Sequence, residues 1–394
     1  MRQQQLLAIA CFTALSASAG VHAQPVDAQG FGPGFGQGGH VYVMSNAKGA
    51  NEVAVLRRDR VGGLDKLGVY RTGGQGVGVG TTAPPPDPLG SQNALVLSDD
   101  GRFLFAVNAG SNEVSTFLVF GDRLVLLDVT DSGGSFPVSL AQRGDKLYVL
   151  NSAGHANVTA FHIDLFGRLS PVRGSSRVIG TDSPLVGNQP DVATTATQLQ
   201  FDRSGRWLAV AVKDSASKGF VELFAVDGRG NLAQDPEITP SNDTAPFGFA
   251  FDDENHLLMS QGGASAVISY AVERDGGLRT LSPSLASGQA ATCWLAANRH
   301  YAFTANAGSS TVSAYRVDDS GKLSLLESGV AANLGAGHAP TDLKLTKDGR
   351  SLYVNSPGAG SVVSFAVGDD GRLKPVGETP VFAAFSGMQG LAVQ

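Results

Sequence analysis

One unit recurs seven times along this 394-residue chain, and the repetition limits its fold more than any other feature. In each copy an apolar strand ends at a polar residue, a short Ala/Gly/Ser turn follows, a second alternating strand runs on, and a Gly-x-Leu type hairpin signal closes the unit. The strand ends fall at Asn46, Asn108, Asn151, Lys213, Gln261, Asn306 and Asn355; the hairpin leucines are Leu64, Leu124, Leu169, Leu232, Leu278, Leu323 and Leu373. Strand end and leucine are 16 to 19 residues apart, whereas successive units are separated by 43 to 63. Rigid modules joined by variable connections are implied.

Ahead of each Asn-type strand lies another short apolar strand and a tight turn, as in Leu95–Gly101, Leu199–Gly205 and Leu343–Gly349, where Asp-Gly and Ser-Gly are hairpin signals. Adding the strand after the hairpin leucine gives four antiparallel strands per repeat, the pattern of a propeller blade. No stretch shows sustained helical periodicity, which excludes parallel α/β folds. The expected fold is all-β: a seven-bladed β-propeller over residues 40–394. The first unit begins at His40 with its second strand, while Met388–Gln394 has the pattern of an inner strand with nothing after it. The C-terminal strand should therefore join blade 1 and close the ring, removing two exposed sheet edges.

Residues 1–23 read as a cleavable leader, with Arg2, an apolar stretch from Leu6 to Leu15 and Val21-His22-Ala23 before the cut; residues 24–39 read as a Gly-rich lead-in. Export to periplasm or medium is expected, with no membrane span. Cys11 falls inside the leader, so Cys293 is the sole mature cysteine and no internal disulfide can form. A net charge of −6 without any basic run argues against nucleic acid. Three stretches, 24–39, 72–92 and 171–196, depart from the repeat and have the composition of loops. The Gly73–Gly80 run is no phosphate cradle, because prolines and no helix follow it.

A residue type present in most blades serves the fold, whereas an active site is used once. The strand-end Asn fits a side-chain turn bond with left-handed backbone. Lys213 replaces it, and Lys213-Asp214 is either a solvated rim pair or places a channel lysine able to stabilise an enolate or carboxylate. At the start of the inner strands only Asp342 is ionisable; it is either a general base with a raised pKa or a cap of its own strand. Asn93, Gln198 and Gln389 stand at equivalent places as hydrogen-bonding groups. Trp294 lies just inside the sixth inner strand as the aromatic candidate for the binding wall. Alternation aligns Cys293 with Leu95 and Leu199 and makes it a core residue rather than a nucleophile. His155 and His162 read as surface residues; no metal and no cofactor are expected.

At Val107–Phe117, Leu97–Phe105 and the repeated Asp-Gly-Arg-Leu turns, the sequence resembles the lactonase seven-bladed propeller family, which includes phosphogluconolactonases and the fungal carboxymuconate lactonising enzyme. The resemblance covers residues 40–394. It implies lactone hydrolysis or cyclisation of an unsaturated diacid; for such a reaction the residues read above would serve with Asp342 as base, Lys213 as oxyanion or carboxylate stabiliser, and Gln198, Asn93, Gln389 and Trp294 binding a small lactone or carboxylate. The chain has Pro340-Thr341-Asp342 where the phosphogluconolactonase branch carries Pro-Arg-His, which separates it from the phosphosugar activity. The other expectation is a non-catalytic propeller that holds a ligand or protein on its channel face; a monomer is expected in either case.

Overall fold

The computed structural model describes residues 38–79, 87–183, 185–186, 189–191, 194–215, 218–241 and 245–394; the stretch expected to be a leader and most of the Gly-rich lead-in lie outside them. Seven antiparallel sheets follow one another as blades of a β-propeller. Blade 2 is typical: Leu95–Leu97 innermost, then Phe103–Asn108, Glu113–Phe120 and Arg123–Asp131 at the outer edge. Blade 7 repeats it with Leu343–Leu345, Ser351–Ser356, Ser361–Val367 and Leu373–Pro380. The inner hairpins turn where the sequence signals them: Gly101 and Gly349 adopt φ of +70° and +68°, conformations a side chain resists, and each N–H closes the turn at 2.8 Å on the residue three back.

The ring closes at the C-terminus. Leu391–Val393 pairs antiparallel with His40–Met44 as the innermost strand of blade 1, in register Val43 to Leu391 and Val41 to Val393. The bonds extend beyond the strand, from Met44 N–H to Gly390 O at 3.0 Å and from Gln394 N–H to His40 O at 2.9 Å.

Blades pack face to face through apolar side chains whose alternation puts every second residue into an interface. Phe105, Phe117, Phe161, Phe224, Phe249, Tyr315 and Trp294 are fully buried there, each worth roughly 1.5–3 kcal/mol of transfer free energy. Tyrosines of the second strands stitch neighbours together: Tyr148, Tyr301 and Tyr353 each donate from the phenol to a backbone oxygen in the outer hairpin of the next blade, at Gly230 (2.5 Å), Asp369 (2.9 Å) and Gly62 (3.1 Å). The last of these crosses from blade 7 to blade 1 and reinforces the closure.

Two of the stretches with loop composition carry structure. Within 171–196, Arg177–Ser183 is a strand bonded to the long strand Lys146–Ile163 of blade 3, and Leu185–Val186 pairs with Gln189–Pro190. Irregular composition hid it because its register shifts between Val178 and Asp182. Within 72–92, Gly76 and Gly78 lie so close over the end of blade 1 that a Cβ on Gly76 would sit 2.2 Å from the Asn46 carbonyl carbon. Among the described residues, no helix is long and apolar enough to cross a membrane.

Candidate active site in the channel

Inner strands, inter-blade loops and the turns after the strand-end residues converge on one face of the ring, and the connection from blade 1 to blade 2 determines what that channel contains. Residues Asp87–Asn93 enter it as a plug. Ser91 donates from Oγ to Val138 O of blade 3 at 2.9 Å, and Gln92 donates from its backbone to Thr197 O of blade 4 at 3.1 Å. The Gln92 side chain spans to blade 6, with Nε2 donating to Leu295 O at 2.7 Å and Oε1 accepting Leu295 N–H at 3.0 Å. Backbone crossing a buried channel must have its peptide groups satisfied, and amide side chains supply what strand pairing cannot. The crossing also explains Gly248: a Cβ there would lie 2.2 Å from Gln92 Oε1 and 2.7 Å from Cys293 O.

Asp87 sits at the head of the plug on the loop face. Its Oδ1 accepts from Gln389 Nε2 at 2.8 Å and from Gly90 N–H at 2.9 Å. Burial pushes its carboxyl up to about 6, against the pull of Lys213 and these bonds. Lys213 comes from the end of the second strand of blade 4; only 7% exposed, it points its ammonium over the Phe247 ring, 5.0 Å from the centroid. Desolvation pulls its pKa below the usual lysine value, while Asp87, Cys293 and Asp191 hold it up. Cys293 is half-buried at the same place, and burial, with Asp87 adding to it, pushes its thiol up to about 12. A carboxylate, an ammonium and a protonated thiol thus lie within electrostatic reach of one another at this end of the channel.

Lys213 belongs to this cluster rather than to a solvated rim pair; only its neighbour Asp214 is exposed. Gln389 is buried and holds the plug, donating to Asp87 and to Ser91 O at 2.9 Å while Oε1 accepts Leu89 N–H at 3.1 Å. Gln198 is also fully buried and clamps blade 4 to blade 5 through Phe249, Nε2 to O at 2.8 Å and N–H to Oε1 at 2.8 Å. Trp294 is 1% exposed, donates from its indole to Ser91 O at 2.8 Å and meets Phe247 edge to face, so the structure places it in the core rather than on a binding wall. The sixth inner strand carries a bulge between Thr292 and Trp294, which turns Trp294 into the core; Cys293 is half-buried and packs against the same core cluster.

Asp342 is 1% exposed with φ +71°. Its Oδ2 accepts the N–H of Leu391 at 3.1 Å, in the strand that completes blade 1, and its Oδ1 is buried without a protein partner. Burial pushes this carboxyl to about 6, with Lys344 opposing. It caps the closing strand of the next blade, not only its own. Asn93 occupies the equivalent place in blade 2 with φ +68°, and its Oδ1 accepts from Lys344 Nζ.

The strand-end Asn residues bond as turn-holding groups, yet of the five only Asn46 is left-handed, at φ +51°. Asn108 and Asn306 remain in extended strands and work through side chains: Nδ2 donates to Ser115 Oγ at 2.7 Å in one and to Ser313 Oγ at 2.8 Å in the other. Among the described residues no three His, Cys, Asp or Glu side chains converge to hold a metal ion.

Residues 186–385 match the family described as Lactonase, 7-bladed beta-propeller. No curated protein matches the sequence. Among solved structures, a protein from Lactobacillus plantarum is similar over 91% of this chain and 100% of its own, with a TM-score of 0.71 and 14% identity. The periplasmic gluconolactonase of Pseudomonas aeruginosa superposes over 91% of this chain and 99% of its own, with a TM-score of 0.67 and 18% identity. A protein of Bacteroides fragilis, provisionally described as a 6-phosphogluconolactonase, covers 90% and 98% with a TM-score of 0.68 and 17% identity. At these identities the likeness concerns the fold.

Proposed function

Because the chain belongs to the lactonase seven-bladed β-propeller family, we propose that it hydrolyses an uncharged sugar-type lactone beside the electrostatically coupled Asp87 and Lys213. The observation carrying this reading is the pairing of a carboxylate near pKa 6 with a desolvated lysine at one end of the plugged channel. Asp87, ionised at neutral pH, takes a proton from water as that water attacks the lactone carbonyl. Lys213 faces the oxygen on which negative charge develops, in surroundings of low dielectric where its contribution is large. Collapse of the tetrahedral intermediate breaks the ring C–O bond, and the proton held by Asp87 passes to the departing ring oxygen. The product is an open hydroxy acid.

Electrostatics favour an uncharged substrate. Lys213 already has Asp87 and Asp191 within electrostatic reach, so a phosphoryl group would meet two carboxylates for one ammonium. Closure of an unsaturated diacid meets the same objection twice over. An exported protein acting on sugar lactones outside the cytoplasm is consistent with the apolar leader ending at Ala23 and with the name of the Pseudomonas neighbour.

The test is a panel comprising glucono-δ-lactone, its 6-phosphorylated form and a carboxymuconate, assayed with purified mature protein against the spontaneous rate. Turnover of the uncharged lactone with at least tenfold preference over the phosphorylated one is expected. Preference for the phosphorylated lactone would overturn the substrate class, and silence across the panel would leave a binding scaffold.

A further inference from the structure

The opposite mouth of the channel, ringed by the hairpins between first and second strands, is also built. Two cavities of about 840 and 520 Å³ open there and share Gln200, Arg203, Lys344 and Lys347 as lining, a size range that suits a small ligand. Together they reach the inner-hairpin side of all seven blades, from Asp99 in blade 2 to Gln394 in blade 1. The plug forms the floor, with Gln92 lining one cavity and Asn93 the other.

The centre of this mouth offers donors. Lys344 is half-buried with Nζ on Asn93 Oδ1, which leaves two of its three ammonium protons for a ligand. Gln200 uses its Oε1 to accept from Gln198 Nε2 at 3.0 Å, so its own amide N–H₂ faces the cavity. Carboxylates of the surrounding hairpins are engaged: Asp253 pairs with Arg203 at 2.9 Å, Asp348 accepts from Thr346 Oγ1 at 2.5 Å and from Arg350 N–H at 3.1 Å, and Asp202 accepts from Asn255 Nδ2 at 3.1 Å. Asp99 and Asp369 stand exposed on the outer rim. Asp342, fully enclosed in the wall, is the acid within electrostatic reach of the Lys344 ammonium.

From this arrangement we propose a second ligand site, separate from the Asp87–Lys213 cluster, in which Lys344 and Gln200 bind a small oxyanion, a carboxylate or phosphate, at the inner-hairpin mouth. A desolvated ammonium beside an amide donor, with Lys347 at the edge, selects for one compact group of negative charge rather than for a neutral sugar. Gluconate and inorganic phosphate are the probes that separate the two sources of such a group.

Isothermal titration of the purified mature protein at low ionic strength tests it, with each probe in turn. Binding of at least one is expected, weakened tenfold or more in Lys344→Met and several-fold in Gln200→Leu, and unchanged in Lys213→Met, which alters the other mouth. Asp342→Asn keeps an acceptor for Leu391 and removes the neighbouring negative charge, so it should tighten binding several-fold. Should Lys344→Met fail to fold, the Gln200 and Asp342 variants still decide through their opposite directions. No binding by wild type, or binding lost in Lys213→Met and retained in Lys344→Met, would overturn the site.

Discussion

The side-chain amide of Gln92 and the peptide of Leu295 bond each other in both directions, at 2.7 and 3.0 Å, across the channel between blades 2 and 6. This pair fixes the plug that carries Asp87. Removing it in Gln92→Ala leaves the Leu295 N–H and C=O buried without partners, and an orphaned buried group costs roughly 1–3 kcal/mol. A loss on the order of 2–4 kcal/mol in chemical denaturation is expected, and Gly248→Ala should cost at least as much through its clash with Gln92 Oε1. A change under about 0.5 kcal/mol in both, within the range of an ordinary surface substitution, would show that the plug does not brace the ring.

Asp342 caps the ring-closing strand with a carboxyl that burial holds near 6. The folded state favours its protonated form, so stability from this group is complete below the unfolded carboxylate pKa and is lost as pH rises through about 6. Asp342→Asn keeps an acceptor for the Leu391 N–H. It should leave the midpoint unchanged at pH 4 and raise stability at pH 8 by up to about 3 kcal/mol, with lactone turnover retained. Equal effects at both pH values would contradict the buried-charge reading, and loss of turnover with intact fold would move the base from Asp87 to Asp342.

Deleting residues 386–394 removes the inner strand of blade 1, the Asp342 partner and Gln389 together. Soluble folded protein should not be recovered. A truncated chain with an unchanged thermal midpoint would mean that the ring does not depend on its closure.

The thiol of Cys293 is held protonated, pushed to about 12. At pH 8 it should react with a disulfide reagent about a thousandfold more slowly than a free cysteine in the unfolded chain. Rapid labelling of the native protein would point instead to a thiolate and a nucleophilic role.

Blade number, strand order and the closing strand were legible in the sequence because each rests on a signal repeated seven times. The site was not, for two physical reasons. Bulges shift the register at the start of four inner strands, between Pro137 and Ser139, Ala196 and Gln198, Pro246 and Phe249, and Thr292 and Trp294. Counting by twos across those bulges exchanges wall for core, which is how Trp294, enclosed in the core, comes to be read as part of the binding wall. Asp87 follows a proline run in a stretch outside the repeat, and its only signal was the 62-residue spacing from Asn46 to Asn108. Lys213 could be found because it breaks a pattern; Lys344 could not, because alternation alone does not tell which inner-strand side chain reaches the channel.

The measurement that bears most directly on the account is the rate of glucono-δ-lactone hydrolysis, followed by proton release above the spontaneous background, for wild type, Asp87→Asn and Lys213→Met with matched circular dichroism. Loss of a general base or of an oxyanion-stabilising charge lowers turnover by about 10²–10³-fold, and each variant should show a fall in that range with kcat more affected than KM. Wild-type turnover in both folded variants would contradict the assignment of Asp87 and Lys213 as the groups that open the lactone.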